Sequence, residues 1–390
     1  MNVTRRWLVL TMVALLAAGA APAQDTNPAA RPRNIILMGW DGAHRDHVKA
    51  LLAEGKLPNL KKLIAEGAMI NIDVTSGATD TKAGWSQILT GYKPQITGVY
   101  SNGRYRDVPA GYSVFERLKA RFGTNTFAAV AVIAKRANCG EIDPPTRAPL
   151  DAATDGGDAA AEARKDRRIV EEDGRQFLVF DGSPYYTMHK ACDEWVFGLE
   201  EDGKVGDKTL ELLEKYQDKP FFFFVHLAEV DKKGHRFGEP SAEYNEAIVS
   251  GDTQLGRLAE RLKALKLYDS TRVYVVADPG FDVGAKNHLN APYVFLATND
   301  KAVTRAGTRA DVAPTILDRF GVDLTKLDPP LSGETLTRAS SRPESELKAP
   351  AKPPKGGIFG NRGKAKGRAG RGRPETAEPE APAVEPAAAR

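Results

Sequence analysis

Three places in this 390-residue chain set carboxylates or imidazoles directly after an apolar run. Asp41-Gly42 follows residues 34–38. Asp231 and His235, spaced as Asp-Lys-Lys-Gly-His, follow residues 221–226. Asp278 follows residues 272–277, with His288 a little further on. Singly, each acid could be a helix cap or a turn residue. Together they offer three aspartates and two of the chain's six histidines, and mixed carboxylate and imidazole ligands suit zinc, manganese or iron. Thr81 stands just ahead of the apolar run 85–89, which ends in Thr90-Gly91. A helix starting there would aim its first N–H groups and its dipole at a bound anion. Coordination to a metal would lower the hydroxyl pKa enough for attack on phosphorus. The plain alternative for Thr81 is an ordinary helix N-cap, and spacing alone does not separate it from Thr75, Ser76 and Thr79.

Groups so far apart in sequence need a sheet to bring them together. Apolar strand-like runs at 34–38, 127–134, 221–226, 272–277 and 293–297 lack internal polar alternation. Helical patterns separate them. They lie at 57–64, at 113–122, in a long stretch carrying Tyr244, Ile248, Leu255, Leu258, Leu262 and Leu265, and from about Asp311. Such alternation predicts an α/β fold with a mostly parallel sheet covered on both faces. Ligands then sit at the carboxyl ends of the strands, where these acids fall. The acidic, Ala/Gly-rich stretch 137–206, with Tyr185, Tyr186 and Trp195, breaks the rhythm and reads as an insertion, either a lid or a surface excursion without a role. Cys139 and Cys192 either pair, tying this insertion to the core, or remain two buried thiols.

The two ends read differently from this middle. Arg5-Arg6, an apolar run at 7–20 and Ala21-Pro22-Ala23 match a cleaved signal peptide over residues 1–23. The run is shorter than the roughly 20 residues that cross a bilayer. The expectation is therefore a periplasmic or secreted protein without stable membrane insertion. From 340 to 390 the chain turns to Pro, Ala, Gly and basic residues that cannot bury a core. It reads as a solvated tail, or as a segment whose basic cluster touches acidic polymers. The catalytic domain would span 24–339. The formal charge of +4 owes much to the tail and calls for no specific nucleic-acid partner.

Asp41-Gly42, Pro58-Asn59-Leu60 with Leu63 and Gly67, and Thr81 with Thr90-Gly91 together resemble the alkaline phosphatase superfamily, in its type I phosphodiesterase/nucleotide pyrophosphatase branch. Thr97-Gly98-Val99-Tyr100-Ser101-Asn102 is similar to that branch's His-Gly-Ile-x-x-Asn, and Asp231-x-x-Gly-His235 matches its Asp-x-x-Gly-His motif. Tyr244, the helix with Asp252 and Leu255-Gly256, and Asp311-Val312-Ala313-Pro314-Thr315 carry the likeness to the C-terminal end. The resemblance implies a three-layer α/β/α sandwich and hydrolysis of small-molecule phosphate esters, mono- or diester, through a phosphothreonine on Thr81. It implies two divalent ions, Zn2+ first. Asp231, His235 and His288 would hold one. Asp41, Thr81 and Asp278 would hold the other, where Mn2+, Mg2+ or Ca2+ are also compatible. Asn102 would donate a hydrogen bond to the phosphoryl oxygen. Sulfatases of this superfamily mature a Cys or Ser to an aldehyde, which a threonine cannot become.

One departure stands out. The branch writes Asp-His-Gly where this chain writes Asp278-Pro279-Gly280, and proline offers neither a ligand nor an N–H. Three outcomes are open: a harder, oxygen-loving ion at that position, substitution by His44 or His47, or a weakened site. In the last case the chain would act as an envelope binding protein. Lys135, after the strand at 127–134, reads equally as a phosphate partner or a surface lysine.

Overall fold

The computed structural model describes residues 31–150 and 168–349. The leader at 1–23, the tail beyond 349 and residues 151–167 of the mid-chain stretch lie outside the described residues. The strands are β1 (Asn34–Trp40), β2 (Ala68–Asp73), β3 (Ala128–Ile133), β4 (Thr146–Pro149), β5 (Arg168–Glu172), β6 (Arg175–Phe180), β7 (Glu194–Phe197), β8 (Phe221–Leu227), β9 (Thr271–Val276), β10 (Tyr293–Thr298) and β11 (Gly307–Thr308). Among the described residues, the helices of eight residues or more are α1 (Arg45–Ala53), α2 (Pro58–Glu66), α3 (Thr81–Thr90), α4 (Val114–Phe122), α5 (Asp202–Tyr216), α6 (Glu229–Phe237), α7 (Ala242–Ala264) and α8 (Val312–Arg319).

Eight strands form one sheet in the order β11-β2-β10-β9-β1-β8-β3-β7. Neighbours pair parallel except around β10, which runs against both β9 and β2. The expected mostly parallel α/β sheet is therefore present. Its central strands are buried on both faces, with every residue of β1, β3 and β8 inaccessible. That is why they read as unbroken apolar runs. The strand and helix positions expected from the sequence agree with the structure to within a residue or two. β2 and α5 were not expected. Residues 68–73 expose much of one strand end and look like a helix exit, whereas α5 begins in the last five residues of the supposed insertion and runs ten residues beyond it.

Part of the stretch 137–206 returns to the main sheet. β4, β6 and β5 form a separate antiparallel sheet, but β7 pairs with β3 as the outer strand of the large one. Tyr185 is fully buried and donates its hydroxyl to the Asn138 carbonyl, and Trp195 donates to the Gly140 carbonyl. Cys139 and Cys192 are free thiols. The pairing weighed from the sequence does not form. Cys192 instead approaches the Met188 carbonyl within its own turn. Ordered contacts also run past residue 339: Arg342 grips the buried Asp311 carboxylate at 2.5 and 2.7 Å, so the first ten residues assigned to the tail belong to the domain.

Candidate active site

Four adjacent strands, β9, β1, β8 and β3, each release a polar residue at their carboxyl ends. The register pairs Gly39 with both Val276 and His226, and His226 with Ile133. Asp278, Asp41 and Lys135 therefore leave the sheet at one level. Helix α3 crosses this edge, and Gly39 lies under the Trp85 ring. Gly84, one turn into α3, lets the helix approach Asp278: a Cβ there would stand 2.7 Å from the Asp278 Cβ. Gly42, with φ of +83°, turns the chain beside Asp231, where a Cβ would stand 2.7 Å from the Asp231 Cα.

Thr81 is the first residue of α3, not its cap. Asp80 caps the helix, its Oδ1 accepting the Ala83 N–H, and its Oδ2 accepts the Asn102 N–H at 2.8 Å. Asn102 Oδ1 in turn accepts the Lys82 N–H at 2.8 Å. This lock sets the Asn102 carboxamide beside Thr81 and leaves its NH2 to donate elsewhere. Lys82 reaches away from the sheet edge to Asn138 and Glu141.

Asp231 and His235 sit one turn apart on α6, so both face the same side. His235 Nε2 is 3.4 Å from Asp231 Oδ1, and His288 Nδ1 is 3.8 Å from the same oxygen. The donor atoms of all three lie within 4.8 Å of one another. His235 Nδ1 lies 2.9 Å from the Lys286 carbonyl, which only a donor can satisfy. Its Nε2 lone pair is thereby presented to the cluster, the orientation that metal-binding imidazoles receive from an outer carbonyl. Burial lowers the His288 pKa and keeps the ring neutral. Asp231 Oδ1 and His288 Nδ1 have no hydrogen-bond partner among the described residues. One carboxylate and two imidazoles with unused donors fit a zinc-type ion.

The Asp41, Thr81 and Asp278 position does not fit an ion in the same way. Lys135 enters it from the end of β3, its Nζ 2.8 Å from Asp41 Oδ2, 2.7 Å from Asp231 Oδ2 and 3.2 Å from Thr81 Oγ1. Burial works to raise both of those carboxyls, yet Lys135 holds Asp41 and Asp231 below the usual carboxylate range. Burial opposes charge on Lys135 too, but Asp231, Asp41 and Asp278 keep it an ammonium. Asp278 is pushed well up by burial and then by Asp41, and neither of its oxygens has a hydrogen-bond partner among the described residues. His44 and His47 do not fill the gap left by Pro279. His44 Nδ1 accepts the His47 N–H at the start of α1, and His47 is held by Glu239 and Asn245.

Every site residue expected from the sequence lies at this edge, and three further residues join them. Lys135 is one. His226, buried in β8, contacts Asp41 Oδ2 at 2.9 Å through Nε2, but a histidine inside a strand gives no outward signal. Arg309 is fully buried and donates to the carbonyls of Ser76, Ala78 and Asp278. It joins the loop before Thr81 to the loop after β9. Its partners are backbone atoms, which no residue pattern reveals.

A parallel sheet of this order, with its polar groups along one carboxyl edge, is the architecture of the alkaline phosphatase superfamily. A superfamily protein from Vibrio parahaemolyticus shares it at a TM-score of 0.52 and 17% identity over 80% of this chain and 71% of that one. A lipoteichoic acid synthase from Listeria monocytogenes does so at 0.50 and 15%, over 81% and 79%. Within that superfamily the chain belongs to the type I phosphodiesterase / nucleotide pyrophosphatase family, whose profile matches residues 35–316. Among curated relatives, a 2,3-bisphosphoglycerate-independent phosphoglycerate mutase of Malacoplasma penetrans is 27% identical over 133 residues, 31% of this chain and 24% of the relative. Ectonucleotide pyrophosphatase/phosphodiesterase family member 3 of Mus musculus is 37% identical over 65 residues, 17% of this chain and 7% of the relative. The match thus spans a quarter or less of these relatives.

Proposed function

We propose that this chain hydrolyses phosphate esters with the Thr81 hydroxyl as nucleophile. The observation that carries the reading is the placement of Thr81 Oγ1. It stands at the amino end of α3, 3.2 Å from the Lys135 ammonium, beside three buried aspartates and the Asp231, His235 and His288 cluster. A divalent ion held by Asp231, His235 and His288 would supply positive charge for the phosphoryl oxygens. The chain's own groups do the rest. Thr81 Oγ1 gives up its hydroxyl proton and bonds to phosphorus while the bond to the leaving alcohol oxygen breaks, and that oxygen takes up one proton in turn, so the step is balanced. The Thr81 N–H, the Asn102 carboxamide and Lys135 stabilise the charge that develops on phosphorus. Water then attacks the phosphothreonine, breaking its P–O bond and restoring the hydroxyl. Diesters and monoesters both suit this scheme.

Turnover of bis-nitrophenyl phosphate with zinc or manganese present tests the proposal. Thr81→Ala should lower kcat by about a thousandfold or more. Full activity in that variant rejects the mechanism. Pro279 favours a second reading, a chain that keeps the fold and binds an envelope polymer without turnover. That reading requires no hydrolysis with any ion.

A further inference from the structure

The two-ion scheme gives no ligand role to Lys135, whose Nζ lies among the acids of this edge. Two of the three groups assigned to the second ion, Asp41 and Thr81, already face its Nζ at 2.8 and 3.2 Å. Zinc–oxygen bonds are about 2.0–2.2 Å, so an ion bound to both would stand within the space of the ammonium. Pro279, next to Asp278, offers that position neither a side-chain ligand nor an N–H. Lys135 is mostly buried, its side chain 14% exposed, and it is anchored by a second carboxylate, Asp231, at 2.7 Å. Asp231 Oδ1 and His288 Nδ1, in the first ion's cluster, have no hydrogen-bond partner among the described residues, and beside Lys135 the same holds for Asp41 Oδ1 and both Asp278 oxygens.

We propose that Lys135 takes the place of the second metal ion, so that the chain holds one divalent ion, at Asp231, His235 and His288, and a lysine ammonium beside Thr81. Charge supports the assignment. With Asp41 and Asp231 ionised, Lys135, Arg309 and a single divalent ion already leave the edge positive, the sign that attracts a phosphodiester anion. A second divalent ion would add two further charges beside the Lys135 ammonium, with Asp278 as the one remaining carboxyl to offset them. Lys135 is on this reading a charge-bearing and positioning residue for Thr81. The inference builds on the hydrolase reading for what the charge serves, but the ion count does not depend on it.

Metal content measured by native mass spectrometry and by elemental analysis after zinc loading decides the matter. The wild-type chain should carry one zinc, and His235→Ala with His288→Ala should carry none. Pro279→His alone should still carry one, because the ammonium remains in place. Lys135→Met combined with Pro279→His should carry two. Two zinc ions in the wild type, none in the wild type, or two in Pro279→His alone would each overturn the assignment, and the wild-type and Pro279→His counts stand even if the double variant fails to fold. A chain that binds one zinc but cleaves no ester upholds the lysine and rejects the hydrolase. One that cleaves with two zinc ions does the reverse.

Discussion

Asn102 shows how a single side chain can be tested apart from the helix it supports. Its Oδ1 accepts the Lys82 N–H and its own N–H reaches Asp80, so an aspartate in its place can keep both contacts. What Asn102→Asp loses is the NH2 aimed toward a phosphoryl oxygen, and it gains a like charge facing that oxygen. The variant should keep its melting temperature within a few degrees while kcat/KM falls by about a hundredfold or more. Equal kcat/KM in the two proteins would remove Asn102 from the site. Asn102 was legible because it lies in a motif. Lys135 was not, because a lone lysine after a strand has the same sequence signature whether it points at solvent or into three carboxylates. Only the shared level of β3 and β1 distinguishes the two.

At the scale of elements, the junction of β8 with α6 carries the ligands Asp231 and His235, and its support is Asp202, the first residue of α5. The buried Asp202 Oδ1 accepts the N–H groups of Ala228 and Glu229 at 2.9 and 3.3 Å, so α5 satisfies the open end of α6 from outside. Burial pushes its pKa up to about 7, against the lowering effect of those two bonds. The folded protein therefore holds this proton between the ordinary carboxylate range, near 4, and about 7, whereas the unfolded chain does not. The resulting stability is fully present below the unfolded pKa and is lost as pH rises through the folded one. Urea unfolding of wild type and Asp202→Asn should diverge between about pH 4 and 7. The wild type should lose up to a few kcal/mol relative to the variant, and parallel stability curves would reject the shift. The sequence showed β8 and its Asp-x-x-Gly-His plainly. It hid α5, because the helix straddles the end of the irregular stretch and opens among that stretch's acidic residues.

For the molecule as a whole, the question is where the folded domain ends, and composition placed that end about ten residues early. Ser340 and Ser341 bond to Glu334, Arg342 pairs with Asp311, and the Ala349 N–H reaches Asp73. Asp311 is fully buried and also accepts the N–H groups of Thr308 and Glu334. It closes the short 3-10 turn Arg309–Asp311, and that turn holds the Arg309 side chain against the Ser76, Ala78 and Asp278 carbonyls. Contacts therefore run from Arg342 through Asp311 and Arg309 to the loop that precedes Thr81. A chain ending at Ala349 keeps all of them and should melt and turn over like the full-length protein. Ending the chain at Ala339 removes Arg342 and leaves the Asp311 charge with Arg305 at 3.5 Å as its remaining ion pair among the described residues. Breaking a buried pair of this kind costs about 3–5 kcal/mol, which in a domain of this size lowers the melting temperature by roughly 5–8 °C. Arg342→Met in the full-length chain should reproduce that loss, and it should lower kcat as Arg309 loosens. If the Ala339 chain matches the Ala349 chain in both measurements, Arg342 does not support the site, and the domain ends where composition placed it.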